Sequence, residues 1–358
     1  MRKQLENYLL SLIKGESNNI LDKTVRFILS LLEIVYQTII NIRKVLYKLG
    51  LLKSKDLEVD VISVGNITTG GTGKTPVVER LALELLDKGK KVGVLSRGYQ
   101  SKGDSPLIIS DGENILVDVD EAGDELYMMA SHLSGIPIIK GKNRYKAGKL
   151  ALSKFDLDIL IVDDSFQHWQ LKRDLDIVVV DALNPFGYDH LLPRGILREQ
   201  LSSFKRADIV IISRSVQVSQ SKLEQIKKKI YNYNSKVDIF KSSHNPVNID
   251  ALAVSSQEFL DSPEELNNRK ALALSGIGNP ESFVKSLEEL GAKVVETANY
   301  PDHYEYKSED VMDIAMEAQL NEAEFVITTD KDAVKFDEDL INKFNKMDLD
   351  IYSLGINL

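Results

Sequence analysis

The chain has 358 residues, room for about two domains at a prior of roughly one per 150 residues. Its 43% apolar and 28% charged residues match ordinary globular usage and exclude disorder as its general character, while the absence of cysteine excludes disulfides, thiolate metal sites, iron–sulfur clusters and cysteine nucleophiles. A net charge of −9 argues against wholesale nucleic-acid binding, which needs a basic footprint.

That charge is unevenly placed. Residues 1–55 hold ten Lys+Arg against four Asp+Glu, or +6, leaving 35 against 50, or −15, for the rest. From Ile20 to Leu52 apolar residues recur at helical spacing, interrupted by Arg26, Glu33, Arg43, Lys44 and Lys48. No uncharged apolar run there approaches the roughly 18 to 20 residues of a bilayer span. The stretch also lies too far in, and lacks the small-residue cleavage pattern, for a signal peptide. Two readings stay open. One is a helix packed on the body of the protein; the other is an amphipathic helix that also lies in a membrane surface, with its Lys and Arg at anionic headgroups.

Short β-branched runs follow, each succeeded by a helix-like stretch. Strands are predicted at Val59–Val64, Lys91–Ser96, Pro137–Lys140, Ile159–Val162, Ile177–Val180 and Ile209–Ile212, and a charged helix near Ser219–Tyr231. A second set comes at Ala271–Ser275, Lys293–Glu296 and Phe325–Thr328, with Val237–Ile249 as a connector that the closing Asp350–Leu358 run is able to pair with. This alternation predicts an α/β fold: a core with a mostly parallel sheet over residues 56–236, and a smaller α/β lobe with its connector strands over 237–358. The chemistry then belongs at the carboxyl ends of the strands.

The strongest chemical signal is VISVGNITTGGTGKTP, Val61–Pro76, a glycine-rich turn between a strand and a helix. Such a turn aims backbone N–H groups at phosphate oxygens, and the helix N-terminus adds a favourable dipole. In the P-loop pattern G-x-x-x-x-G-K-[ST] the first position falls on Thr68 in place of glycine, while Gly70, Gly71, Thr72 and Gly73 keep the loop permissive. Lys74 then reaches the β- and γ-phosphates and the Thr75 hydroxyl ligates Mg²⁺. Its partner is LDILIVDDSFQH, Leu157–His168, a buried strand ending in two carboxylates. One of Asp163 and Asp164 holds the metal directly or through water and the other orients it, with Gln167 and His168 at the same strand end.

These residues resemble the tetraacyldisaccharide 4′-kinases of lipid A biosynthesis. The matching segments are VGNITTGGTGKTP (Val64–Pro76), LSRGY (Leu95–Tyr99), GDE (Gly123–Glu125), DDSFQH (Asp163–His168), LLPRGILRE (Leu191–Glu199), GIGNP (Gly276–Pro280), PDH (Pro301–His303) and TTDKDAVKF (Thr328–Phe336), in family order. The amphipathic N-terminal helix also looks like the family's. Ser165 stands where the family usually has glycine, Trp169 where a basic or other residue is frequent, and Asp330 in place of a usual glutamate.

The resemblance implies transfer of the ATP γ-phosphoryl group, with Mg²⁺, to the 4′-hydroxyl of a tetraacylated glucosamine disaccharide 1-phosphate. It implies two lobes that close over the nucleotide. Lys74 and Asp124 become catalytic, Asp124 as proton acceptor with His303 as its partner across the lobes. Glu125, Gln167, His168, Arg194 and Arg198 become substrate-binding, the arginines through forked phosphate contacts. The location implied is peripheral, on the cytoplasmic face of the inner membrane, with no nucleic acid and no obligate protein partner. Two other classes remain: a P-loop GTPase or ATPase switch docked by its N-terminal helix, and a non-catalytic nucleotide-binding scaffold. The lack of an N-K-x-D element counts against a GTPase, and the intact Lys74, Thr75 and Asp163 count against a scaffold.

Overall fold

Apolar runs too short for helices become strands whose two faces are both covered. The computed structural model describes residues 8–9, 11–15, 19–98, 103, 105–243, 245–254, 260–278 and 280–357. Tyr99, Asn279 and Leu358, which the sequence reading placed in motifs or strands, lie outside the described residues. Chain order gives β1 (Asp60–Gly65), β2 (Val92–Ser96), β3 (Leu107–Ser110), β4 (Ile138–Lys140), β5 (Ile159–Asp163), β6 (Leu175–Asp181), β7 (Ile209–Ser213) and β8 (Asp238–Lys241). There follow β9 (Asn245–Ala253), β10 (Lys270–Ser275), β11 (Lys293–Asn299), β12 (Phe325–Thr329) and β13 (Ile351–Asn357).

The chain divides into two compact units. One comprises Met1–Val78, Lys90–Leu95 and Asn143–Ser243; the other comprises Glu79–Gly89, Ser96–Lys142 and His244–Leu358. Residues 96–142, including the GDE segment, thus group with the C-terminal segment, whereas the sequence boundary at 236/237 put them with the P-loop.

In the first unit six parallel strands lie in the order β2-β5-β1-β6-β7-β8. β1 sits between β5 and β6, the place where the order reverses and where loops separate to leave a crevice. Register fixes what meets there: Val64 pairs with Asp163, and Gly65 with Val178, so the loop after β1 and the acids after β5 emerge side by side. Gly65 has a packing reason as well. A Cβ there would lie 2.7 Å from the Phe166 backbone nitrogen, so only glycine lets the loop after β5 cross the end of β1. Inward residues of β6 and β7, among them Val178, Val180, Val210 and Ile212, pack on Leu223, Ile226 and Ile230 of the helix Gln220–Tyr231.

Helix α1 (Ile20–Lys48, 29 residues) belongs to this unit and opens with a capping box between Asn19 and Asp22. Glu33, Tyr36 and Lys44 recur on one helical face and hold it to the body. The Leu191 N–H donates to Glu33 Oε1 at 2.7 Å, Tyr36 Oη donates to the Arg198 carbonyl at 3.1 Å, and Lys44 Nζ pairs with Glu199 at 2.9 Å. The opposite arc, including Phe27, Ile28, Leu31, Leu32, Ile34, Val35, Ile39 and Ile42, is exposed. An 18-residue window of α1 has a mean hydropathy of 1.5 with at most two charged side chains. By length and composition the helix is therefore long and apolar enough to cross a membrane, a test the sequence reading applied only to uncharged runs.

The second unit holds the antiparallel pair β3–β4 and a five-stranded sheet in the order β11-β10-β12-β13-β9. In that sheet β10, β11, β12 and β13 are parallel and β9 is antiparallel to β13, with Leu354 opposite Ile249. The connector and the closing run do pair. Alternation along β10 sends Leu272 and Leu274 to a cluster with Val311, Ile314, Leu340 and Phe344, and Ala271 and Ala273 to another with Phe283 and Leu287. The sheet is covered on both faces.

Candidate active site

The P-loop is built at the crevice of the first unit. Gly70 and Gly73 adopt positive φ, 102° and 80°, which is why glycine stands at those two positions. Thr68 is buried and bridges Leu197, while the Thr69 N–H donates to the Ile196 carbonyl at 2.8 Å and the Arg198 N–H to the Ile67 carbonyl at 2.7 Å. Asn66 Nδ2 donates to Thr72 Oγ1 at 2.9 Å, Ser213 Oγ to the Thr72 carbonyl at 2.8 Å, and Arg214 Nη2 to the Gly71 carbonyl at 3.1 Å while also pairing with Asp181. Helix α2 (Lys74–Asp87) starts directly after Gly73, so Lys74 and Thr75 occupy its first turn with the unsatisfied backbone donors that bind anions.

Asp163 closes β5 and is buried; Arg144 Nη2 donates to its carbonyl at 3.1 Å. Asp164 follows with φ 47°, a left-handed residue that turns its carboxylate toward two cations, Arg198 Nη1 at 2.7 Å and Lys74 Nζ at 3.6 Å. Burial raises the pKa of Asp164, but Lys74, Arg198 and Arg144 outweigh it and hold the carboxyl below the usual range. Thr75, Asp163 and Asp164 are hard oxygen donors, the chemistry Mg²⁺ takes. Among the described residues no group of three or more His, Asp or Glu is placed to hold a metal. Such a donor set fits an ion that draws further ligands from nucleotide phosphates and water.

Gln167 Nε2 donates to the Asn66 carbonyl at 2.8 Å, fastening the β5 loop to the P-loop, and the His168 N–H closes a turn on the Ser165 carbonyl at 2.8 Å. Arg194 is half-buried in the loop between Leu191 and Leu197. Two of the three departures, Ser165 and Trp169, are accommodated locally. Ser165 Oγ lies 2.7 Å from the Val162 carbonyl and 2.9 Å from Ser63 Oγ, and the Trp169 ring lies 5.7 Å from Tyr47 of α1 and 4.6 Å from the Arg206 guanidinium. Glu199 is buried; burial raises its pKa, but Arg206 and Lys44 bring it down to about 2.

In the second unit Gly123, at φ 85°, sets the start of helix α3 (Asp124–His132), and Asp124 Oδ1 accepts the Glu125 N–H at 2.9 Å. The His303 ring faces this carboxylate, with Nδ1 2.8 Å from Asp124 Oδ2 and 3.0 Å from Oδ1. Both side chains are about nine-tenths buried, at 10% and 9% exposure. His303 holds φ at 61°, a conformation that costs a non-glycine residue on the order of 1 kcal/mol and is kept by its surroundings. Burial raises the Asp124 pKa, yet the hydrogen bond from His303 and the charges of Lys331 and Lys335 leave it below the ordinary carboxylate value. Glu125 pairs with Lys331 at 3.1 Å.

The structure therefore gathers Thr68 to Thr75, Asp163, Asp164, Gln167 and Arg198 in one unit, and Asp124, Glu125 and His303 in the other. The tetraacyldisaccharide-1-P 4′-kinase family model matches residues 25–358. The chain belongs to that family. The tetraacyldisaccharide 4′-kinase of Halothermothrix orenii is 49% identical over 366 aligned positions, covering 100% of this chain and 95% of the relative. That of Pelobacter propionicus is 35% identical, covering 94% and 90%. A crystal structure of LpxK from Aquifex aeolicus in complex with ATP superposes with a TM-score of 0.70 at 35% identity, covering 93% of this chain and 94% of that one. Membership makes the chain an ATP-dependent kinase of lipid A biosynthesis, and ATP with Mg²⁺ is its cofactor pair.

Sequence reasoning missed Asp181, Ser213 and Arg214, which brace the P-loop from the ends of β6 and β7. Their signal was available: each lies at the carboxyl end of a predicted strand, where sites gather. It also left TTDKDAVKF without a role. Lys331 and Lys335, four residues apart, reach the Asp124–His303 pair.

Proposed function

We propose that the chain transfers the γ-phosphoryl group of ATP to the 4′-hydroxyl of tetraacyldisaccharide 1-phosphate at the cytoplasmic surface of the inner membrane, with Asp124 accepting the hydroxyl proton. The observation that carries this reading is the buried Asp124–His303 pair, a carboxylate held in its basic form at 2.8 Å from an imidazole. ATP bound with Mg²⁺ supplies the electrophilic phosphorus and a neutralised leaving group. The chain's own residues bind and orient. Loop N–H groups from Gly70 through Thr75 are placed to cradle phosphate oxygens; Lys74 and Arg198 put positive charge beside the transferred group; Thr75 with Asp163 and Asp164 would hold and orient the metal. Glu125, Gln167, His168 and Arg194 complete the acceptor side. The O–H bond of the acceptor breaks as its oxygen bonds to the γ-phosphorus and the proton passes to Asp124, while the bond from that phosphorus to the β,γ-bridging oxygen breaks and ADP leaves. Phosphotransfer from γ-labelled ATP to a panel of acylated disaccharide 1-phosphates, with mass analysis of the product, tests this. Monophosphorylation at the 4′ position is expected; hydrolysis without lipid product refutes the reading.

The exposed arc of α1 supports a peripheral location. Its anchors Glu33 and Lys44, eleven residues apart, both hold the same folded unit, which keeps the helix lying along the body with its apolar arc facing outward. An amphipathic helix so placed inserts in the headgroup region, and each basic residue near an anionic surface adds about 1 kcal/mol. Leu31→Glu combined with Leu32→Glu, both exposed positions, is expected to abolish vesicle co-sedimentation and activity on vesicle-embedded lipid while ATP binding persists. Full vesicle binding by the double variant at low and high salt would make α1 ordinary packing.

A further inference from the structure

Two lysines of the TTDKDAVKF segment converge on the Asp124–His303 pair from within the second unit. Lys335 Nζ lies 2.8 Å from Asp332 Oδ1 and 3.6 Å from Asp124 Oδ2, and its side chain is only 8% exposed. Asp332 is fully buried and is fixed in turn by the Gly276 N–H at 2.9 Å and the Thr329 hydroxyl at 2.8 Å. Lys331 Nζ lies 3.1 Å from Glu125 Oε1, 2.9 Å from Asp302 Oδ1 and 3.5 Å from His303 Nε2. Burying an ammonium is costly unless it is paired, and here each lysine is paired on one side and aimed at the dyad on the other.

We propose that Lys335 and Lys331 are positioning residues of the phosphoryl-transfer step, Lys335 keeping the Asp124 carboxylate charged and Lys331 fixing His303 in the tautomer that donates from Nδ1 to Asp124. The proposal rests on the reading of Asp124 as the proton acceptor. A carboxylate buried as deeply as Asp124 drifts toward its neutral acid, which has no capacity to take the hydroxyl proton; a cation within about 4 to 6 Å reverses that drift by roughly 1 to 3 pH units. Burial does raise the Asp124 pKa, and His303, Lys331 and Lys335 bring it back down. At the imidazole, an ammonium facing Nε2 favours a lone pair there and so puts the hydrogen on Nδ1, against Asp124. Among the described residues the charged groups facing the dyad are Lys331, Lys335, Glu125, Asp302 and Asp332; the Asp302 carboxylate lies 3.7 Å from His303 Nε2 and opposes Lys331 there, and the Tyr306 ring lies 5.8 Å from Lys335 Nζ.

The test is the pH dependence of kcat/KM for tetraacyldisaccharide 1-phosphate in mixed micelles at saturating ATP. It compares the wild type with Lys335→Met, Lys335→Arg, Lys331→Met/Lys335→Met and Lys335→Met/Asp332→Asn. Loss of a cation raises the pKa of a carboxylate, so the acid limb of Lys335→Met is expected to move up by about one pH unit, and that of the double lysine variant further. Lys335→Arg keeps the wild-type limb, and ATP affinity stays within about threefold. Lys335→Met leaves Asp332 buried without its cation; if that variant does not fold, Lys335→Met/Asp332→Asn, which removes both charges, is expected to move the limb in the same direction by a smaller amount, since the lost Asp332 charge offsets part of the lost ammonium. Limbs that coincide with the wild type, with only the amplitude scaled, overturn the proposal. Asp124→Asn run alongside separates the two readings: a fully active Asp124→Asn sinks the assignment of Asp124, whereas an inactive Asp124→Asn with unmoved limbs sinks the role of the lysines alone.

Discussion

Asp124→Asn is expected to lower the phosphotransfer rate by roughly 10² to 10⁴ while ATP affinity is largely retained. The amide keeps the shape and still accepts the Glu125 N–H that begins α3, so the helix start survives and what disappears is the basic oxygen facing His303. Single-turnover kinetics with the lipid acceptor measure the chemical step, and equilibrium nucleotide binding supplies the control. Asp163→Asn is expected to act elsewhere, raising the Mg²⁺ concentration needed for half-maximal rate, because Asp163 stands at the end of β5 beside the P-loop. A Mg²⁺ titration of both variants separates the roles, and identical metal dependence would show them to be wrongly divided.

Lys74→Ala is expected to cost at least about 10²-fold in turnover, or about 2.7 kcal/mol of transition-state stabilisation. Lys74 sits in the first turn of α2 with its ammonium 3.6 Å from Asp164, so the side chain is already held in a partly buried place before nucleotide arrives. Its removal also takes from Asp164 one of the charges that keep it ionised, leaving Arg198 and Arg144 to do so. The variant should fold, since Asp164 retains its 2.7 Å contact with Arg198. Circular dichroism together with a turnover assay decides the matter, and an unchanged rate in the folded variant would remove Lys74 from the transition state.

Much of the parallel sheet was legible because buried parallel strands are written as unbroken β-branched runs: ILIV in β5 and IVVV in β6 have no other comfortable conformation. The P-loop was legible for a different reason, since strand, glycine-rich turn and Lys-Thr occur in one contiguous stretch. What escaped was information carried by pairing across distance. β3 and β8 are four-residue strands at the two edges of their sheet, too short for a periodicity to register. Arg214 supports Gly71 from 143 residues away, and Lys335 meets Asp124 across more than two hundred; neither relation leaves a trace in spacing. The grouping of residues 96–142 with the C-terminal segment is of the same kind.

The two residues that follow Leu197 are gripped from both sides. Arg198 offers its guanidinium to Asp164 and its carbonyl to the Tyr36 hydroxyl, while Glu199 takes the Lys44 ammonium and the Arg206 guanidinium. A shortened protein that starts after α1 therefore loses more than its greasy surface: one clamp on the arginine beside the P-loop and one on the glutamate that follows it go with it. Anyone wanting a freely soluble version is better served by repainting the outward arc, with Phe27, Ile28, Leu31 and Leu32 exchanged for polar residues and Glu33, Tyr36 and Lys44 left in place. Trimming and repainting then part company in the assay, the first eroding the catalytic rate itself and the second only the encounter with lipid.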